Sequence, residues 1–149
     1  MIELATSADF EGVCDLLRAM HAENGVGRVN EAKARGVISQ NIESGGCLIS
    51  RQRGVIVGSV AIYRDQWWYS DETAFFDRWF FVHPDNRDKG HAERLIAALK
   101  AAARNTGLPM VLSVGTTVDA LPKLRFFKKH LTPFGGSFIF MPDVHAKAA

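Results

Sequence analysis

The residues with the clearest chemical potential stand together as Arg87-Asp88-Lys89-Gly90-His91-Ala92. They follow the apolar run Trp79-Phe80-Phe81-Val82 and precede a segment with Leu95, Ile96, Leu99 and Ala102 on one helical face. A strand that passes directly into a helix start makes a place for an anion. The first N–H groups of the helix have no intrahelical partner, and the aligned peptide dipoles bring partial positive charge to that end. Gly90 removes a side chain where a phosphate would come close, Arg87 and Lys89 add charge and donors, and Ala92 keeps the first turn open. The segment is not a Walker A loop, because the early glycine and the Gly-Lys-Ser/Thr ending are missing. It is not a dinucleotide fingerprint, because Gly90 is its one glycine. The competing reading is an ordinary connection whose charges are solvated.

The flanking elements must place this loop. Residues 2–5 suit an edge strand, and Val13, Leu16, Leu17 and Met20 give a first helix, from Phe10 to the stop at Asn24-Gly25. A second helix is expected after Asn30, running to about Ile42 before Ser44-Gly45-Gly46. Residues 47–49 and 55–63 read as a hairpin across Arg51-Gln52-Arg53-Gly54, and 75–82 as a third strand. A helix at about 91–105 stops at Gly107 and Pro109. A buried strand at 110–114, a short helix at 121–130 and a last strand at 138–141 complete the order β-α-α-β-β-β-α-β-α-β. This pattern predicts an α/β chain with a central mixed sheet covered by helices on both faces.

A chain of 149 residues with 47% hydrophobic content suffices for one buried core, and residues 1–149 are expected to form a single domain. A net charge of +2 marks no nucleic-acid or membrane surface. Cys14 and Cys47 lack the close spacing of a zinc or redox motif and read as reduced packing residues, so no metal is expected. The N-terminus has no basic segment followed by an apolar run, and no stretch approaches the ~20 apolar residues of a membrane span. A soluble, cytoplasmic protein is expected. The tail from His145 to Ala149 is expected to fray.

The pattern Val82-x-Pro84-x-x-Arg87-x-Lys89-Gly90-x-Ala92, set between the fourth strand and a long helix, resembles the acetyl-CoA signature of the GNAT superfamily of N-acetyltransferases. The element order resembles that family over the whole chain. The resemblance implies that the fourth and fifth strands part at a bulge, that Phe81 and Val82 face the pantetheine arm, and that Arg87, Asp88, Lys89, Gly90, His91 and Ala92 wrap the pyrophosphate. It implies acetyl-CoA as co-substrate and direct attack by a neutral amine on the thioester, with no acyl-enzyme cysteine. Asp77, in the strand lining the acceptor site, is then the first candidate base, and Glu72 the second. Against these stand a surface pair of Asp77 with Arg78 and a solvated turn at Asp71-Glu72. Many family members donate the thiolate proton from a tyrosine on the helix after the fifth strand. The matching stretch here, Asp119 to Phe127, has none. Phe126 or Phe127 can pack against the coenzyme but cannot donate a proton, and Ser113, Thr116, Thr117 or water remain open as substitutes.

The amine acceptor, a small molecule or a protein, is expected near Trp67-Trp68-Tyr69 and Asp71-Glu72, whose rings and carboxylates suit a cation, although the tryptophans also suit packing. Two other functions compete with the enzyme. One is a coenzyme-binding module without efficient turnover. The other is a nucleic-acid binder using Arg51, Arg53, Arg78, Arg87, Lys89, Lys128 and Lys129, which near-neutral charge opposes. A monomer or homodimer is expected, the apolar Phe138-Ile139-Phe140 offering an edge to pair.

Overall fold

A computed structural model describes residues 1–116 and 118–142. Along the chain lie β1 (Ile2–Leu4), α1 (Phe10–Asn24), α2 (Glu31–Glu43), β2 (Cys47–Gln52), β3 (Val55–Gln66), β4 (Thr73–Val82), α3 (His91–Thr106), β5 (Met110–Val111) and α4 (Ala120–His130). The strands form one sheet in sequence order, antiparallel from β1 to β4, with β5 parallel to β4.

The apolar runs in β2, β3 and β4 exist because both faces of this sheet are covered. Neighbours on a strand point to opposite sides. Ala61 and Trp79 accordingly join Cys47, Ile49, Val13 and Ile38 beneath α1 and α2, while Val60 and Val82 join Leu95 and Leu99 beneath α3. Asn30 caps α2 by accepting from the Lys33 N–H at 3.0 Å. Cys14 and Cys47 are free and buried.

Two expected elements differ. The strand at 110–114 reduces to Met110–Val111, half-buried, because the next main-chain donor, the Ser113 N–H, goes to the Asp77 carboxylate at 2.9 Å and not to a β4 carbonyl. No closing strand forms at 138–141, where Phe138, Ile139 and Phe140 stand exposed. A strand needs a run of free main-chain groups on an adjacent edge, and the short β5 ladder offers little. The expected fraying at 145–149 falls outside the described residues.

Candidate active site

The site is built on the parting of β4 and β5. Their ladder holds at Phe75 opposite Met110 and Phe76 opposite Val111. Beyond it the Asp77 carboxylate receives the Ser113 N–H and occupies the position of the next rung. A bulge follows at once: Ala61 of β3 faces Trp79 and Ile62 faces Asp77, leaving Arg78 as the extra residue, its guanidinium over the Tyr63 ring at 3.9 Å. From Arg78 to Val82, β4 is paired to β3 only. An extended, amide-bearing ligand would find there a strand edge to complete.

At the far end of that edge the chain enters a 3-10 turn (Pro84–Lys89) that delivers it to α3 through Gly90. Gly90 has φ 73°, which favours glycine, and a Cβ there would stand 3.0 Å from Arg94 Nη1. No side chain caps α3, so its first N–H groups are available to an anion. Of the residues assigned to the phosphates, Asp88 and Lys89 are exposed, with Lys89 Nζ donating to the Asp85 carbonyl at 2.9 Å. Arg87 is turned back into the fold. Its Nε donates to the Val82 carbonyl at 3.0 Å, its Nη2 to Glu23 at 2.6 Å, and its guanidinium lies 5.4 Å from the Phe81 ring centre. The His91 ring is buried rather than facing the loop, with Nδ1 2.7 Å from the Ser50 hydroxyl and Nε2 3.2 Å from Gln52 Oε1. Burial first, and the nearby Arg94 second, hold its pKa below the ordinary histidine value, so the ring is neutral at pH 7. Ala92 packs against the core beneath α3.

Asp77 and Glu72 are not brought together. Glu72 is exposed in the connection between β3 and β4, five residues before Asp77, about 17 Å along an extended strand. Burial raises the Asp77 carboxyl above its usual range, against the opposing pull of the Ser113 N–H and its own amide. Trp67 packs among Tyr69, Phe76 and Phe134, at 6.1, 5.4 and 6.0 Å between ring centres, lining a cavity of about 470 Å³ on the hairpin. A second concavity of about 600 Å³ lies between α1 and α2, floored by Trp79, Cys14 and Ile38.

Across the opening from β4, Phe127 of α4 stands edge-on to Phe80 at 5.1 Å. Phe126 and Phe127 offer no proton. The Thr116 hydroxyl is engaged with Asn24 and the Val118 carbonyl. The Ser113 hydroxyl has no protein partner among the described residues, and Thr117 lies outside them.

Five side chains cluster where α1, the start of α3 and α4 meet, and three of them the sequence did not point to. Glu23, near the end of α1, accepts from Arg87 at 2.6 Å and from Lys123 of α4 at 2.7 Å. Lys123 Nζ also donates to Asn24 Oδ1 at 2.7 Å and Thr116 Oγ1 at 3.2 Å. Burial alone would raise the Glu23 carboxyl, but Arg87 and Lys123 outweigh it and hold it below the usual range. These partners lie up to 100 residues apart in the chain, so no local pattern announces them.

A covered mixed sheet that opens between two parallel strands, beside an uncapped helix start, defines an α/β fold whose opening suits an extended ligand with an anionic group. Residues 13–131 match the acetyltransferase (GNAT) family, and the chain belongs to that family. It is an N-acetyltransferase with acetyl-CoA as co-substrate. Its structure is similar to ribosomal-protein-alanine N-acetyltransferase from Brucella melitensis biovar Abortus 2308, with TM-score 0.69 and 20% identity over 95% of this chain and 99% of that one. It is similar also to the aminoglycoside 6'-N-acetyltransferase AAC(6')-IG from Acinetobacter haemolyticus, with TM-score 0.69 and 13% identity over 96% and 97% of the two chains. A third similar structure is the aminoglycoside N-acetyltransferase AAC(6')-Iy in complex with CoA, with TM-score 0.72 and 17% identity over 96% and 93%. No curated protein sequence matches the chain significantly.

Among the described residues, no three His, Cys, Asp or Glu gather to hold a metal, and no helix is long and apolar enough to cross a membrane.

Proposed function

We propose that the free edge of β4 from Arg78 to Val82 holds the pantetheine arm and that the N–H groups at the start of α3 hold the pyrophosphate. Acetyl-CoA supplies a thioester whose carbonyl carbon is attacked by the acceptor amine, the carbon–sulfur bond breaking as the new amide forms. Asp77 takes the proton that the amine must lose, directly or through one water, because its raised carboxyl is nearer the operating pH than an ordinary aspartate. The Ser113 hydroxyl, which has no protein partner among the described residues, donates a hydrogen bond to the departing thiolate, which takes its proton from solvent. Phe81, Val82 and Phe127 form apolar walls, and Arg87 braces the loop from behind. Glu72 is too far along the hairpin for this chemistry.

The observation that carries the reading is the unpaired β4 edge leading straight to an uncapped helix. Calorimetric titration with acetyl-CoA tests it, with a Gly90→Trp variant alongside. Binding by the wild-type chain and loss in the variant support the assignment, and absence of wild-type binding overturns it. The phenylalanines at 126 and 127 favour a second reading, a coenzyme-binding module with slow turnover. Thiol release on an amine panel separates the two, since a module binds acetyl-CoA and releases no thiol above the solution rate.

The acceptor is a small-molecule or protein amine. Residues 1–149 act as one domain, as a monomer or homodimer, and the two free, buried cysteines suit the reducing cytoplasm.

A further inference from the structure

We propose that Glu23, Asn24 and Thr116 form a docking site for a second primary ammonium of the acceptor, which Lys123 plugs until the acceptor arrives, so that the substrate is a diamine or polyamine. This inference rests on the acetyl-transfer reading and narrows its acceptor.

The Lys123 ammonium is surrounded by three oxygens, from Glu23 at 2.7 Å, Asn24 at 2.7 Å and Thr116 at 3.2 Å. A primary ammonium has three N–H donors, and here each has an acceptor. Quaternary and tertiary amines lack that set. The side chains of Glu23 and Lys123 are only 15% and 21% exposed, so the interaction is shielded from bulk water. Arg87 fixes the carboxylate from the other side while binding the Val82 carbonyl. Thr116 belongs to the arm leaving β5, and Val82 ends β4. The cluster therefore spans the two arms of the opening.

Lys123 is well placed to leave. None of the residues of α4 is buried, and the helix starts at Asp119 with φ 51° and no side-chain cap. Lys123 and Phe127 are one turn apart and share a helix face, so the Phe127–Phe80 contact keeps α4 on the sheet while the ammonium contact is exchanged. Exchanging the tethered ammonium for that of a substrate conserves the hydrogen bonds of the cluster.

The docked ammonium is not the reacting amine. A carboxylate held charged by neighbouring cations stabilises the charged form of an amine, which has no lone pair for attack. Asp77 has the opposite environment, half-buried with no cation paired to it, its carboxyl raised, and it suits proton removal. One carboxylate anchors and the other deprotonates. Ser113, whose N–H is bonded to Asp77, and Thr116 are three residues apart, at most about 10 Å along the main chain, so the two sites are neighbours on the segment that leaves β5.

Steady-state kinetics with 1,4-diaminobutane, 1,5-diaminopentane and the monoamine 1-aminobutane test the proposal. In the wild-type chain the better diamine exceeds the monoamine in kcat/KM by roughly ten- to a hundredfold, the range of a charge-assisted hydrogen bond. Glu23→Gln removes that preference by raising the diamine KM more than the 1-aminobutane KM. Lys123→Ala lowers the diamine KM. Equal kcat/KM for the three amines, or a Glu23→Gln effect that leaves the diamine preference intact, overturns the proposal. A readout free of turnover keeps it testable if acetyl transfer itself fails. In Lys123→Ala, or in Lys123→Met should the first not fold, 1,4-diaminobutane raises Tm and tetramethylammonium at matched ionic strength does not. Equal shifts with the two cations refute the ammonium site, whatever the fate of the acetyl-transfer reading.

Discussion

Replacing Asp77 with asparagine separates the two things this side chain does. The amide oxygen of asparagine still accepts the Ser113 N–H, so the opening between β4 and β5 keeps its closed end. What disappears is the ability to take a proton. A positioned general base contributes about 10² to 10⁴ in rate, so kcat/KM is expected to fall by that factor with the acetyl-CoA Kd unchanged. Stability moves the other way. The folded-state carboxyl is raised above its unfolded value, so the folded chain binds more protons over that interval and stability falls as pH rises through it. Above the window, at pH 7, the native chain carries a half-buried charge that asparagine removes, and Asp77→Asn is expected to melt at higher temperature than wild type. At a pH below the ordinary aspartate pKa the two should converge. Asp77→Ala is the contrast: it leaves the exposed Ser113 N–H to water, at a cost of about 0.5–1.5 kcal/mol, and should lose stability as well as activity. Thiol-release kinetics and thermal melts across pH make the measurement. An Asp77→Asn chain within threefold of wild-type kcat/KM, or one melting lower at pH 7, would refute the argument.

Gly90→Ala forces a side chain onto φ 73° and to within 3.0 Å of Arg94, so it should cost about 1 kcal/mol or more in urea unfolding and weaken acetyl-CoA binding in calorimetry. The His91 pKa lies below its unfolded value, so its share of stability is complete above about pH 6.5 and is lost as pH falls toward the folded pKa. Wild type should therefore lose Tm between pH 7 and 5.5, by more than His91→Gln does in the same melts. Ser113→Ala keeps the main-chain bond to Asp77 and removes only the hydroxyl, so it should lower kcat by about tenfold or more with little change in KM. An unchanged kcat would assign stabilisation of the departing thiolate to water.

The sequence alone was enough for the parts of this protein governed by local physics. Helical periodicity with Asn30 and Gly25 at the ends placed α1 and α2 closely, and the β-branched and aromatic runs marked β2 to β4, because caps and alternation act between near neighbours. The anion-accepting junction at Gly90 was legible for the same reason: a strand, a glycine and a helix start are adjacent in the chain. Other features depended on contacts between distant segments. The run at 138–141 has strand composition but no edge to pair with, and β5 is cut short because Asp77, thirty-six residues earlier, takes the Ser113 N–H. Arg87 reads as a phosphate ligand until Glu23, sixty-four residues away, draws its guanidinium back into the fold. The cluster formed by Glu23, Asn24, Thr116 and Lys123 has no sequence signature, since α1, the β5 exit and α4 meet only once the sheet and its flanking helices have packed. Local rules determined where the strand–glycine–helix junction lies, and long-range packing decided which charges surround it, because a side chain's partner is set by the folded path of the whole chain.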